Sequence, residues 1–172
     1  MRLVTLAIDG DQQVGVVVGD RVHALGDVIP DAPATMLELL GAGGALLSSL
    51  RAVVAESSSD RGMSLADATL LAPIPRPGKI VAVGRNYREH ADEEGAAIVA
   101  DPVLFTKYPS AVIGDGADIT WRAEDAGQVD YEAELAVVIG EAARDVSTER
   151  ALDIVAGYTC LDDVSARDLQ AH

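Results

Sequence analysis

The segment Val129-Asp130-Tyr131-Glu132-Ala133-Glu134-Leu135-Ala136-Val137-Val138-Ile139-Gly140 sets acids inside an otherwise apolar run of strand character. Side chains two apart in a strand point to the same face, so Glu132 and Glu134 project together while Tyr131, Ala133 and Leu135 face the other way. Carboxylates held that close repel each other. An edge strand with its acidic face in water accounts for the pair, since acids are mostly exposed. A hard divalent cation accounts for it equally, because Mg²⁺, Mn²⁺ and Ca²⁺ prefer oxygen ligands and relieve the repulsion. The alternation alone leaves both readings open. Downstream, Asp162-Asp163 offers further acids from a separate segment.

A chain of 172 residues, 49% of them apolar, is long enough to bury a core, so disorder is not expected. The formal charge of −15 argues against a nucleic-acid partner, whose phosphates are met with Lys and Arg. No apolar run approaches the roughly 20 residues that span a bilayer. The opening Met1-Arg2-Leu3-Val4-Thr5 reaches an acid by Asp9, unlike a signal peptide, and a soluble cytoplasmic protein with no membrane partner is expected. The single Cys160 rules out an intrachain disulfide and a multi-cysteine zinc site.

The expected fold class is α+β. Apolar stretches from Leu3 to about Val28, broken at Asp9-Gly10-Asp11 and Gly19-Asp20, read as a short antiparallel meander with tight turns. Leucine-rich spacing from Thr35 to Glu56 predicts two short helices interrupted at Gly41, Gly43 and Gly44. Pro73-Ile74-Pro75-Arg76-Pro77-Gly78 reads as a linker, because three prolines fix extended backbone. Residues 1–72 are therefore expected to form a small N-terminal α/β domain without catalytic residues, 73–78 the linker, and 79–172 the part that carries the chemistry. Within that part, Lys79–Val83, Val103–Phe105, Ala111–Ile113, Val129–Ile139 and Ile154–Leu161 read as strands. Asn86 to about Ala97 reads as a helix, and Thr148 to about Ile154 as a short helix capped by Ser147.

If the stretch from Asn86 is helical, His90 and Glu93 share a face, and the carboxylate can orient the imidazole and raise its basicity. That is a general-base dyad. Glu89, Asp92 and Glu94 crowd the same stretch, so a solvated acidic helix explains it as well. His23 and His172 have no such setting.

Taken in order, Asn86-Tyr87-x-x-His90-x-x-Glu93, Phe105-x-Lys107, Asp130-Tyr131-Glu132-x-Glu134-Leu135, Gly157-Tyr158-Thr159 and Asp163-Val164-Ser165-Ala166-Arg167-Asp168-Leu169-Gln170 resemble the fumarylacetoacetate hydrolase family from about Pro77 onward. The resemblance implies a small N-terminal domain followed by the first part of a mixed β-barrel or β-roll, and a homodimer. It implies that Glu132, Glu134 and Asp163 hold one Mg²⁺, with Mn²⁺ or Ca²⁺ as alternatives, and that the substrate is a small 2-oxo acid or β-diketone. It makes His90, oriented by Glu93, the base that activates water, and Cys160 a small buried residue next to the metal Asp. Arg167 and Gln170 lie four and seven residues beyond Asp163, and a helix there would turn all three toward the site. Arg167 would then grip a carboxylate bidentately. Lys107 and Tyr131 are further candidates for substrate oxygens, with a surface lysine and a packed tyrosine as the plainer alternatives.

The sequence departs from the family pattern at Asp162, where the family has Asn, so the ligand role could pass between Asp162 and Asp163; the match over Val164-Ser165-Ala166-Arg167 selects Asp163. Family members also continue well beyond the position of His172, so the chain is expected to be a fragment, a truncated product or one completed by another chain. The leading expectation for function is a metal-dependent hydrolase of C–C bonds in acylpyruvate or fumarylpyruvate-type 2,4-dioxo acids. The alternatives are an isomerase or decarboxylase of 2-hydroxy-dienedioates or oxaloacetate-like acids, and a catalytically silent fragment.

Overall fold

The structure, a computed structural model, describes residues 1–56, 62–93, 95 and 101–170. Its architecture is α+β. Strands β1 (Arg2–Ile8), β2 (Asp11–Val18) and β3 (Arg21–Ala24) form the expected meander, joined by two-residue turns. Asp9 and Gly10 both take positive φ, 52° and 87°, the combination whose twist matches that of the strands it joins. Helices α1 (Leu25–Val28), α2 (Met36–Gly41) and α3 (Gly44–Glu56) follow, then strands β4 (Met63–Ser64) and β5 (Leu70–Leu71). They complete an antiparallel sheet of order β4-β3-β2-β1-β5. Thr35 opens α2 with a reciprocal cap: its hydroxyl accepts from the Glu38 amide, and the Glu38 carboxylate accepts from the Thr35 amide.

Val14, Leu25, Met36, Leu39 and Leu50 make one buried cluster between sheet and helices, while Leu6, Val17 and Val22 make a smaller one on the opposite face. Both lie in the first 72 residues. The proline-rich stretch that follows is packed against them: the buried Thr5 hydroxyl donates to the Pro73 carbonyl at 2.7 Å, and Ile74 rests on the larger cluster. Gly114 crosses β5 so closely that a Cβ there would stand 2.7 Å from the Leu70 carbonyl oxygen.

The remainder is built from strand pairs. Strands β6 (Ile80–Gly84) and β7 (Val103–Lys107) pair antiparallel, with α4 (Arg88–Glu93) between them in sequence. Strands β9 (Ala133–Ile139) and β10 (Val155–Asp162) pair antiparallel, and β8 (Val129–Asp130) pairs with β11 (Ser165–Ala166), which runs into α5 (Arg167–Gln170). Val81, Val83, Val103, Leu104, Leu135, Val137, Ile139 and Tyr158 are exposed on these pairs. Alternate residues of β9 are half-buried, Glu134, Ala136 and Val138 among them, so both faces of the strand are largely apolar. That is the pattern of a strand covered on two sides.

Several elements differ from the sequence reading. Ala111–Ile113 is not a strand: a 3-10 turn at Pro109–Ala111 replaces its start, since Pro109 supplies no amide for a ladder. Thr148–Ile154 is 3-10 rather than α-helical, and Ser147 makes no side-chain cap bond there. The helix expected from Asn86 begins at Arg88 and is described to Glu93.

Candidate functional site

The expected continuous strand over Val129–Ile139 is broken at Tyr131-Glu132, and the break builds the site. The Glu132 amide leaves the ladder to donate to Asp162 Oδ1 at 3.1 Å, and its carbonyl accepts from the Asp163 amide at 2.8 Å. Glu134 meanwhile sits opposite Leu161 in the β9–β10 register. The backbones that carry Glu132, Glu134 and Asp163 are thus tied together at one end of this strand pair. Glu132 and Glu134 share the half-buried side, whereas Tyr131 is 77% exposed. Asp162 uses its carboxylate on a backbone amide and is exposed, while Asp163 is buried.

Two side-chain cations meet these acids. Lys107, at the end of β7, places Nζ 2.5 Å from Asp163 Oδ1 and 3.3 Å from the Ser165 hydroxyl, which in turn donates to the Asp163 carbonyl. Arg167 places Nη1 2.5 Å from Glu132 Oε1 and Nη2 2.9 Å from Asp130 Oδ2, with Nε on the same Asp130 oxygen at 3.2 Å. The Asp130 hydrogen bond, reinforced by Glu132 and opposed by partial burial, raises the Arg167 guanidinium above its ordinary pKa. It is therefore charged at any working pH.

The single helical face expected for Asp163, Arg167 and Gln170 does not form. Asp163 precedes β11, and helix starts only at Arg167, because Ser165-Ala166 is drawn into pairing with β8. Arg167 and Gln170 still meet within α5, Nη1 donating to Gln170 Oε1 at 3.1 Å. A shallow cleft of about 340 Å³ opens beside Lys107, lined by Phe105, Ala166, Leu169 and Gln170 among others, all from the segments 105–107 and 164–170.

His90 and Glu93 lie on α4, but their side chains fall outside the described residues. Spacing alone does not single out Asp130, Ser165 or Asp168 as site residues. Asp130 anchors Arg167, Ser165 links Lys107 to the Asp163 backbone, and Asp168 accepts from the Gly127 amide at 2.7 Å. All three stand inside the quoted motifs, and their presence there is the signal that could have found them.

Among the described residues no three metal-ligating side chains converge on one point. The expected convergence of Glu132, Glu134 and Asp163 is displaced by pairing, since Asp163 turns to Lys107 and Glu132 to Arg167. The donor set nevertheless fits a hard cation. Three carboxylates on tied backbones are the chemistry such an ion selects, and two of them already draw a positive charge to themselves.

The family model described as fumarylacetoacetate (FAA) hydrolase C-terminal matches residues 79–172. The chain is 49% identical over 110 residues to an oxaloacetate tautomerase of Bacillus subtilis, covering 62% of this chain and 36% of that protein. It is 40% identical over 152 residues to a mitochondrial oxaloacetate tautomerase of Bos taurus, covering 88% of this chain and 48% of that protein. A maleylpyruvate hydrolase from Sphingobium sp. SYK-6, solved in complex with manganese(II) and pyruvate, superposes with a TM-score of 0.77 at 31% identity over 97% of this chain and 60% of its own. The chain spans about half the length of the curated relatives it matches. Among the described residues no helix is long and apolar enough to cross a membrane.

Proposed function

Since the chain belongs to the fumarylacetoacetate hydrolase family, we propose that it carries the metal-binding and anion-binding part of an enzyme that enolises a small 2-oxo dicarboxylic acid, of the oxaloacetate kind. The observation that carries this reading is the pairing of two of the carboxylates with cations, Asp163 with Lys107 and Glu132 with Arg167, where Lys107 also lines a cleft. Glu132, Glu134 and Asp163 would hold Mg²⁺ or Mn²⁺. When bound, such an ion supplies Lewis-acid polarisation of the 2-oxo carbonyl and offsets the negative charge that develops as the α-carbon loses its proton.

The chain's own residues would bind and orient the substrate. Arg167 is a planar donor whose three nitrogens serve Asp130, Glu132 and Gln170, and it would bind a substrate carboxylate through the N–H that Glu132 gives up on turning to the metal. Lys107 offers a second positive group at the cleft, which suits a diacid better than a monoacid. Leu169 and Phe105 supply apolar surface in the wall of the cleft. The relatives named oxaloacetate tautomerase, at 35–49% identity, support this class of reaction. The test is the decay of enol oxaloacetate followed by its absorbance, with and without Mn²⁺. Faster decay with protein plus Mn²⁺ than with Mn²⁺ alone is expected; equal rates would overturn the reading.

A second reading, hydrolysis of the C–C bond of a 2,4-dioxo acid such as an acylpyruvate, is favoured by the likeness to the maleylpyruvate hydrolase and by His90 and Glu93 three residues apart on α4. There His90, oriented by Glu93, takes a proton from water. His90→Ala should then lower kcat for acylpyruvate cleavage by roughly 10²–10⁴-fold, the range for a lost general base, with Mn²⁺ affinity unchanged. Normal cleavage by that variant would remove the dyad from the reaction.

A further inference from the structure

The Lys107 ammonium stands on an oxygen of the carboxylate that a divalent cation would take. Nζ stands 2.5 Å from Asp163 Oδ1, and the Asp163 side chain is 9% exposed, so little water reaches it. Among the described residues the other polar neighbour of Nζ is the neutral Ser165 hydroxyl, with the Phe105 ring centroid 6.0 Å away. A divalent ion that took Oδ1 itself, with an oxygen bond of about 2.1 Å, would stand no more than about 4.6 Å from Nζ. Lys107 is 30% exposed and Asp163 9%, so that repulsion is damped less than in bulk water. Arg167 is not in the same position, because Asp130 keeps it charge-paired even if Glu132 turns away.

Resting on the metal reading above, we propose that Lys107 is the exchangeable counter-ion of Asp163: divalent-ion binding expels its ammonium from the carboxylate into the adjacent cleft, where it becomes the anchor for the substrate's anionic group. Metal and substrate binding are thereby coupled in order. Without the ion, Lys107 is held by Asp163 and one anion anchor is lost. With it, Lys107 is free beside Phe105, Ala166 and Gln170, which line that cleft. Paired carboxylates also remain neutralised when no ion is bound, which keeps the buried Asp163 from standing as an isolated charge.

The chain has two lysines, Lys79 and Lys107, and Lys79 is exposed, which makes it an internal reference. Reductive methylation of the 172-residue chain at fixed pH, read by peptide mass spectrometry, should show Lys107 modified several-fold faster when Mn²⁺ is added while Lys79 is unchanged. In parallel, Lys107→Met should bind Mn²⁺ several-fold more tightly by calorimetric titration, since no ammonium has to be displaced. If wild type binds Mn²⁺ but Lys107 reactivity does not rise, or if Lys107→Met binds no more tightly, the exchange is refuted and the metal site stands. If wild type binds no Mn²⁺, the metal reading falls and this inference falls with it.

Discussion

Replacing Arg167 with leucine tests how the site is held together. Leucine keeps part of the apolar stem of the side chain and removes the guanidinium that joins β8, the Glu132 break and α5. The Glu132 carboxylate is 19% exposed and Arg167 is 32% exposed, so their hydrogen bond belongs to the charged class worth about 1.5–3 kcal/mol, taken at its lower end, about 1.5–2, for partial solvent access. Asp130 is 49% exposed, and its pair adds about 0.5–1 kcal/mol by the measure of exposed ion pairs. The loss should be about 2–3 kcal/mol in urea unfolding followed by circular dichroism. At about 2–4 °C per kcal/mol for a chain of this size, Tm should fall by about 4–12 °C. A double-mutant cycle with Glu132→Gln should show coupling of about 1–2 kcal/mol. A loss below about 0.5 kcal/mol, the level of an ordinary surface change, would refute the view that Arg167 ties these segments.

Two further perturbations probe the N-terminal core. Leu39→Ala removes a side chain with 0% exposure from the larger cluster and should cost about 2–5 kcal/mol in the same unfolding assay; a cost under about 1 kcal/mol would mean that the site repacks freely. Gly15→Ala places a Cβ 2.8 Å from Leu6 Cδ1 and 3.2 Å from the His23 carbonyl, so β1 and β3 must give way, with an expected loss of about 1–3 kcal/mol in urea; unchanged stability would show that Leu6 moves aside at no cost.

Local signals carried far in this chain. Asp9-Gly10 has one obvious use between apolar strands, and the first hairpin turns there. The alternation around Glu132 and Glu134 placed both on one side, as the half-buried pattern shows. What could not be read was where the backbone would choose a long-range partner over its own strand. The break at Tyr131-Glu132 depends on Asp162 and Asp163, some 30 residues away, accepting and donating across the gap. Ser165-Ala166 is strand rather than helix for the same reason: Asp130 and Val129 pair with it. The counter-ions were also hidden. Lys107 looked like a surface lysine or a substrate contact, and no spacing rule connects it to Asp163, 56 positions later, without the β6–β7 pair to deliver it.

The shared metal site is tested most directly by calorimetric titration of the chain with Mn²⁺, comparing wild type with Glu134→Gln. Glu134 is the discriminating position because it shows no ion pair with another described residue, so its loss leaves the Lys107 and Arg167 pairs in place. One Mn²⁺ per chain in wild type, absent in Glu134→Gln with an unchanged circular dichroism spectrum, is the expected result. Equal binding in the two proteins, or none in wild type, would contradict the assignment of Glu132, Glu134 and Asp163 as its ligands.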